Sequence, residues 1–360
     1  QPLAPMASDK GENIEIDLGG GATRTIPKSP DKPVLGLFAA DDLWWVGGDG
    51  TRYTFCMQGE DSGVTIDENG PLHAVVKAAG WYVSDKGSPV AKVDLRLHFY
   101  KGKSFTRLYH NVIYAGRPDR DSLGSYGITF RDLCKADAVE IEGDGKAATA
   151  GPSTALYQRT ADYFGAGAGL KTPGKRSSGA VRFLSRNQPA FAVHLRDLWR
   201  MHPKKIEADA AKGAVTFSYW PKEAGVFSFL PREEGMIPSS SSMEACATGL
   251  SRTHEFILDP QPGDLALAKY EAAYFEPVVA IVPPRWLRQT WVALHLAPYD
   301  PEANPDLEDA IADSMAGYAR HAELFRYYGE WFYGGLPNFW RDDDYRWADY
   351  GRYAYILNEE

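Results

Sequence analysis

The sequence predicts a mainly β protein, in which a large antiparallel β-sandwich is followed by helices. Residues 93–99 alternate apolar and polar side chains with a period of two, as a half-buried strand does. Similar segments follow one another from residue 34 to about 260, separated by Gly, Pro, Asp and Ser and not by amphipathic helices. This arrangement is typical of an antiparallel sandwich and not of a parallel α/β sheet. After Pro260 the apolar spacing changes to that of helices.

Each strand is predicted from an apolar run bounded by turn residues. Besides 93–99, strands are predicted at residues 14–18, 72–83, 105–114, 126–133, 154–159, 181–184, 190–195, 215–220 and 253–258. Residues 161–178, which are Gly-rich and basic, are predicted to form a mobile loop, and the serine run 239–242 a flexible one. The triple glycine at 19–21 follows a strand, but no helix comes after it, which argues against a phosphate-binding loop.

One long amphipathic helix is predicted towards the C-terminal end. Asn304 provides the N-cap and Pro305 occupies the first helical position. Apolar residues then recur every three or four positions until Gly329. They are Leu307, Ile311, Met315, Tyr318, Ala322 and Phe325. A single helix cannot bury its own apolar stripe, so it must pack on the sandwich or begin a helical domain that is completed elsewhere. Shorter helices are predicted at 265–275 and 284–292.

These patterns divide the chain into four segments, since 360 residues exceed one typical domain. The predicted segments are an N-terminal strand remnant and connector (1–33), the β-sandwich domain (34–262), a linker with short helices (263–303) and the start of an α-helical domain (304–360).

Composition excludes several classes of function. The formal net charge of −9 and the lack of a basic run argue against nucleic acid as a partner. No apolar run approaches the ~20 residues that span a bilayer, so no membrane partner is expected. Cys56, Cys134 and Cys246 lie far apart, which indicates neither a disulfide framework nor structural zinc. No cofactor is expected, although the acid runs 41–42 and 342–344 offer carboxylates of the kind that bind calcium.

The last forty residues are rich in aromatic side chains. Residues 321–360 hold thirteen of them, against 13% in the whole chain, together with four arginines and several acids. Rings stack on sugar faces, and arginine and carboxylate groups bind hydroxyls and carboxylates, so this tail predicts a glycan site. The alternative is a helix end whose rings only pack together. The predicted substrate-binding residues are Trp331, Tyr333, Trp340, Trp347, Asn358 and Glu359.

Four stretches of the sequence together carry a family resemblance. They are ENGPLHAVVK (68–77) with GW (80–81), HLRDLW (194–199) with PK (203–204), GLSRTHEF (249–256), and DYG (349–351) with NE (358–359). In this order they resemble the exo-rhamnogalacturonan lyase family, whose members have a small RIFT barrel, a central β-sandwich and a C-terminal α/α toroid. Over residues 30–360 the resemblance implies a supersandwich-like central domain and the first helices of the toroid.

The sequence also departs from the family pattern. The barrel is reduced to a few strands, and the toroid stops after its first helices, so a second chain or a further C-terminal segment would complete the helical domain. The resemblance implies a polysaccharide lyase that cleaves an acidic, uronate-containing, rhamnogalacturonan-like polysaccharide or oligosaccharide by β-elimination. It also implies a secreted or periplasmic location.

The chemistry of β-elimination selects candidate catalytic residues. The enzyme must neutralise the uronate carboxylate, place a base at the C5 proton and supply an acid to the departing O4. Arg252 and His254 lie two residues apart in a predicted strand and therefore share a face, Arg252 to hold the carboxylate and His254 to act as base or acid. Arg352 and Tyr353 form a second candidate pair. His202 is a candidate contact for an acidic polymer, with a solvated loop as the alternative.

Two other functions remain open. A glycoside hydrolase of sandwich-plus-toroid architecture would use two carboxylates, drawn from Glu330, Asp349 and Glu359. A non-catalytic carbohydrate-binding or assembly subunit would bind the glycan without turning it over. For Arg252 and His254 the corresponding alternative is a purely structural role.

Overall fold

The computed structural model describes residues 4–29, 42–59, 61–149, 151–166, 173–229, 247–276, 282–283, 286, 289–290, 300–324, 326 and 328–331. Within these residues the protein is mainly β, as the sequence predicts. Two sheets are present, one of three strands and one of sixteen.

A three-stranded antiparallel sheet opens the described chain. Its strands are β1 (Ala7–Asp9), β2 (Asn13–Gly19) and β3 (Ala22–Pro27), paired in that order. Ile14, Ile16 and Leu18 of β2 are buried in the main core, because alternate side chains of a strand face the same side. The predicted strand remnant is therefore the centre of a small sheet. Residues 19–21 make the β2–β3 turn, with positive φ values of 87°, 61° and 83° that glycine adopts without strain.

The main sheet is antiparallel throughout. Its strands are β4 (Leu43–Gly47), β5 (Arg52–Cys56), β6 (Gly63–Asn69), β7 (His73–Ser84), β8 (Pro89–Tyr100), β9 (Thr106–Tyr114), β10 (Leu123–Phe130), β11 (Ala138–Gly143), β12 (Lys146–Thr149), β13 (Ser153–Thr160), β14 (Tyr163–Ala166), β15 (Ala180–Ser185), β16 (Gln188–Leu195), β17 (Lys204–Asp209), β18 (Ala214–Trp220) and β19 (Ser251–Asp259). Their order is β12-β11-β15-β16-β19-β9-β8-β7-β5-β4-β10-β18-β17-β13-β14, with β6 beside β7. Every strand predicted between residues 72 and 258 is present within a few residues of its expected bounds.

The long sheet folds back on itself so that its two halves face each other as a sandwich. The ring centroid of Phe256 in β19 lies 5.2 Å from that of Phe217 in β18 and 5.3 Å from that of Phe130 in β10. Strands that are distant in sheet order therefore meet across the core. All three rings are buried, and removing rings of this size from water is a principal stabilising contribution to such a core. β19 thus has its interior face against the opposite half of the sandwich.

In the stretches 247–276 and 300–324, which the structure describes without gaps, two α-helices follow the sandwich. α1 (Tyr270–Phe275) packs on the side of β15 and β16 away from the main core, where Tyr270 is buried against Ala180 and Ala192. α2 (Pro305–Leu324) begins at the predicted residue. It ends before Gly329, since Arg326 adopts a left-handed conformation with φ of 52°, which no α-helix continues.

The described side chains of the apolar stripe of α2 do not pack on the sandwich, which was one of the two predicted arrangements, and the side chains of Tyr318, Ala322 and Phe325 lie outside the described part. Leu307, Ile311 and Met315 are 59%, 51% and 69% exposed. The other arrangement, a helical domain completed elsewhere, stays a prediction.

The basic loop predicted over 161–178 is held in place wherever the structure describes it. Asp144 accepts hydrogen bonds from the backbone N–H groups of Lys175 and Arg176 at 3.0 and 2.9 Å, and the side-chain carbonyl of Gln158 accepts one from Ser177 at 2.9 Å. The start of this segment is strand β14. The described residues of this segment are therefore partly strand and partly a hydrogen-bonded loop, and the mobility predicted for the segment stays a prediction.

Candidate functional site

Strand β19 directs Arg252 and His254 to the interior face of the sandwich. In the antiparallel ladder with β9, Arg252 lies opposite Val112 and His254 opposite His110. The His254 ring is fully buried, whereas the Arg252 side chain is 17% exposed. The two candidates therefore share a face, as their spacing predicts, and Arg252 lies nearer to solvent.

The carboxylate of Glu330 is the centre of the polar cluster beside these residues. Tyr126 donates a hydrogen bond to Oε1, and His254 Nε2 lies 3.0 Å from the same oxygen. Lys204 donates to Oε2, and Arg252 Nε lies 3.7 Å from Oε2. Three side chains thus lie within hydrogen-bond distance of one buried carboxylate, and Arg252 adds a positive charge at ion-pair distance. We call these five residues the Glu330 cluster.

Aromatic rings connect the Glu330 cluster to the rest of the core. Tyr219 stacks on His254 with centroids 3.6 Å apart and planes inclined by 6°. The Tyr219 hydroxyl lies 2.9 Å from His110 Nδ1, and Tyr82 approaches the other ring nitrogen at 3.3 Å. The Tyr219 carbonyl accepts a hydrogen bond from Lys204 at 3.1 Å. One end of the sandwich interior is therefore a connected polar network instead of an apolar core.

Burial lowers the pKa values of Lys204 and His254. It lowers the pKa of Lys204 to about 8, although Glu330 opposes the shift. It also lowers the pKa of His254 to about 4, so this ring is neutral at pH 7. For Glu330, burial acts in the opposite direction, but Lys204 and His254 hold the pKa of the carboxylate well below its ordinary range. At neutral pH the Glu330 cluster holds one negative charge and, when Lys204 is protonated, two positive charges including Arg252.

The turn at residues 328–331 brings Glu330 into the sandwich. The Gly329 and Glu330 N–H groups donate to the carbonyls of Arg200 and His202, each at 2.8 Å. Arg252 donates to the Gly329 carbonyl at 3.1 Å. Trp331 stacks beside Tyr126 at 6.1 Å and beside Phe227 at 5.5 Å.

The structure thus places three sequence-predicted residues together, namely Arg252, His254 and Trp331. His202 does not lie in a solvated loop: it is buried, its Nδ1 lies 3.3 Å from the Trp199 carbonyl, and burial lowers its pKa to about 4. The burial of this ring contradicts the solvated-loop alternative, and the binding role predicted for His202 stays a prediction. The remaining candidates lie outside the described residues. They are Tyr333, Trp340, Trp347, Arg352, Tyr353, Asn358 and Glu359.

Sequence reasoning missed Lys204, Tyr126, Tyr219 and His110 as members of the network. A signal exists for Lys204, because in β17 it alternates with the apolar residues Ile206 and Ala208 and so belongs to the interior face. The tyrosines carried no distinguishing signal, since rings at alternating positions are ordinary core residues.

No metal site is found among the residues that the structure describes, taking groups of three or more His, Cys, Asp or Glu side chains. Of the predicted calcium ligands, Asp42 forms an ion pair with Arg131, and residues 41 and 342–344 lie outside the described part. In that part of the chain, no helix has both the length and the apolarity needed to cross a bilayer.

A family comparison bears on the central strands. Residues 47–139 match the family model described as the PcRGLX-like protein central beta sandwich domain. This is the central part of the family that the four sequence stretches resemble, and it supports a carbohydrate-active sandwich domain. The match ends before β17, β19 and Glu330, so it does not separate a lyase from a hydrolase. No curated protein matches the chain.

Solved structures resemble the chain only distantly. An alpha-mannosidase from Enterococcus faecalis is 11% identical with a TM-score of 0.36, over 72% of this chain and 29% of that one. An alpha-N-acetylgalactosaminidase from Bifidobacterium bifidum is 10% identical with a TM-score of 0.35, over 73% and 36%. A putative aldose 1-epimerase from Klebsiella pneumoniae is 9% identical with a TM-score of 0.37, over 70% and 81%. The chain spans less than a third of the mannosidase's length. Structural similarity at this level gives no information about the function of the chain.

Proposed function

We propose that this chain acts on an acidic, uronate-containing glycan as a polysaccharide lyase. The observation that supports the proposal is the grouping of a partly exposed arginine, Arg252, with two buried nitrogen bases, His254 and Lys204. His254 is neutral at pH 7, and burial lowers the pKa of Lys204 to about 8, so roughly one molecule in ten carries it unprotonated at that pH. Of the two, Lys204 has the pKa nearer the working pH, which is the property that enzymes use for proton abstraction.

Each requirement of β-elimination has a candidate in the Glu330 cluster. Arg252 neutralises the uronate carboxylate, so that charge can spread into it as the C5 proton leaves. Lys204 or His254 accepts that proton, and the electron pair of the C5–H bond forms a double bond between C4 and C5. The C4–O4 bond breaks, and the departing oxygen takes a proton from the Tyr126 hydroxyl.

The rival reactions have less support in the described residues. A hydrolase needs a second carboxylate roughly 5–10 Å from Glu330. Its predicted partners, Asp349 and Glu359, lie outside the described residues. A non-catalytic binding subunit would not need bases with lowered pKa values. We also propose that the protein is secreted or periplasmic, where polymeric glycans are met, and that a second chain or a further segment completes the helical domain.

Incubation with pectic, ulvan and glucuronan polymers tests the proposal, because the elimination product absorbs in the ultraviolet through its conjugated double bond. We expect absorbance to rise with one acidic polymer and to be lost in Arg252→Lys, which keeps the charge but not the planar guanidinium fork. Arg196→Lys is the matched control, since Arg196 is paired with Glu255, whose side chain faces away from the sandwich interior. New reducing ends without absorbance would indicate a hydrolase, and binding without either product a non-catalytic subunit.

A further inference from the structure

We propose that the outer face of the sheet at β7, β8 and β9 binds the hydroxyl groups of a glycan's sugar ring, at a site centred on Asp94 and Asn111. The site is separate from the Glu330 cluster, so the proposal does not depend on the lyase reaction. Asn111 lies opposite Thr253 in the ladder between β9 and β19. Thr253 follows Arg252 in β19 and therefore points to the other side of the sheet.

Two hydrogen-bond acceptors without donors lie at the centre of this site. Asp94 in β8 and Asn111 in β9 are direct partners in the antiparallel ladder, so their side chains stand next to each other. Oδ1 of each is buried, and neither oxygen has a hydrogen-bond partner in the part of the chain that the structure describes. A buried acceptor left unbonded costs roughly 1–3 kcal/mol. Two adjacent ones therefore point to a ligand that donates hydrogen bonds.

The nearest cation selects a ligand that accepts hydrogen bonds as well. Lys77 Nζ lies 3.7 Å from Asp94 Oδ1, which is within ion-pair distance but beyond hydrogen-bond distance. A small outward movement of this flexible side chain, which is 23% exposed, lets an O–H group bridge the two. That group accepts from the ammonium and donates to the carboxylate. Carboxylate ions only accept, whereas the hydroxyls of a sugar do both. Arg96, the next outward residue of β8, is already engaged, because its Nε donates to Asp67 at 3.0 Å.

An indole ring borders the same position. Trp81 and Lys77 stand on the outer face of β7, on either side of Ala79, which lies opposite Asp94. Alternate residues of a strand are about 7 Å apart, so one sugar ring over Ala79 reaches both the half-buried indole and the ammonium. Aromatic rings pack on the apolar face of a sugar while polar side chains hold its hydroxyls. The residues around Ala79 offer both kinds of contact.

The described contacts of α1 leave this part of the outer face open. On β9 they end at Arg107, which donates to the Tyr274 carbonyl, and the neighbouring Phe105 packs edge-on against the Tyr274 ring. Asn111 lies four residues further along the strand and is half-buried, and its ladder partner Thr253 is exposed. A glycan therefore approaches this face from solvent.

Affinity electrophoresis, in gels that contain soluble galactan, xyloglucan, homogalacturonan or rhamnogalacturonan, measures the binding. We expect at least one of these polymers to retard the native chain and to retard Arg252→Lys equally, because Arg252 lies on the opposite face. Asn111→Leu should weaken the retardation about tenfold, as the loss of one good hydrogen bond does. Thr129→Val is the matched control, since Thr129 is a half-buried strand residue whose hydroxyl already bonds Thr216 at 3.0 Å. Its retardation should equal that of the native chain.

The melting temperature of Asn111→Leu separates a ligand site from a structural pair. Leucine has a similar shape and leaves no acceptor unbonded, so the melting temperature should stay the same or rise. If this variant does not fold, Trp81→Leu gives the same binding test without changing the charge. Retardation of the native chain by none of the four polymers would overturn the proposal. So would a lower melting temperature of Asn111→Leu with unchanged retardation, which would show that the amide only supports Asp94. Retardation lost in Arg252→Lys but kept in Asn111→Leu would place the binding at the Glu330 cluster and reject the outer site. Retardation lost in Asn111→Leu, in a protein that forms no ultraviolet-absorbing product, would retain the outer site and reject the lyase.

Discussion

The ion pair between Lys204 and Glu330 allows a quantitative prediction. Both side chains are 0% exposed, so neither charge is shared with water. Removing one partner of such a pair costs roughly 3–5 kcal/mol of unfolding free energy, because it leaves the other charge buried and uncompensated. The loss of unfolding free energy in Glu330→Gln has an upper bound, because Lys204 can release its proton and so avoid being buried as an unpaired charge. At pH 7 that release costs about 5 kcal/mol for a group whose ordinary pKa is 10.5.

The double variant Lys204→Met with Glu330→Gln should lose much less than the sum of the two single variants, since it buries no uncompensated charge. We expect a coupling energy of about 2–3 kcal/mol in the double-mutant cycle. Urea unfolding followed by tryptophan fluorescence measures each step, provided that the dependence on urea concentration stays constant.

The matched control is Lys212→Met, because Lys212 also forms an ion pair, with Asp209, but its side chain is 78% exposed. Its removal should change the unfolding free energy by less than about 1 kcal/mol. Single variants at Lys204 and Glu330 that each cost less than about 1 kcal/mol, or whose effects simply add, would refute the reasoning. The turn would then not be seated in the sandwich as described.

Further predictions concern the pH dependence of stability and the effect of substitutions inside and outside the core. Burial lowers the pKa of His202 and of His254 to about 4, whereas unfolded histidines titrate near 6.5. Between these values the unfolded state binds more protons, so stability should fall as the pH drops, by about 2 kcal/mol per ring between pH 6.5 and 5. Urea titrations at several pH values check this, and a flat profile would contradict it. Phe256→Ala should cost about 3–5 kcal/mol, since the ring is fully buried among others. Met315→Ala, at a residue 69% exposed, should change stability by less than about 0.5 kcal/mol in the same assay.

The sandwich could be predicted because long strands such as β8 and β9 alternate apolar and polar residues over many positions in the sequence. β9 alternates buried and half-buried side chains over all nine of its residues, and β8 does so from Ala91 to Tyr100. Short strands such as β4 and β12, with five and four residues, offer too few positions for the period to appear. The position of such short strands is determined by the strands with which they pair, and a local sequence pattern does not identify those partners.

The candidate site was predictable only where strand geometry sufficed. The period of two correctly places Arg252 and His254 on one face. It cannot identify Glu330 as their partner, because the contact between Lys204 and Glu330 joins residues 126 positions apart and depends on the path of the chain beyond α2. Lysine is almost never fully buried unless its charge is paired. The burial of Lys204 therefore could not be expected before its partner Glu330 was known.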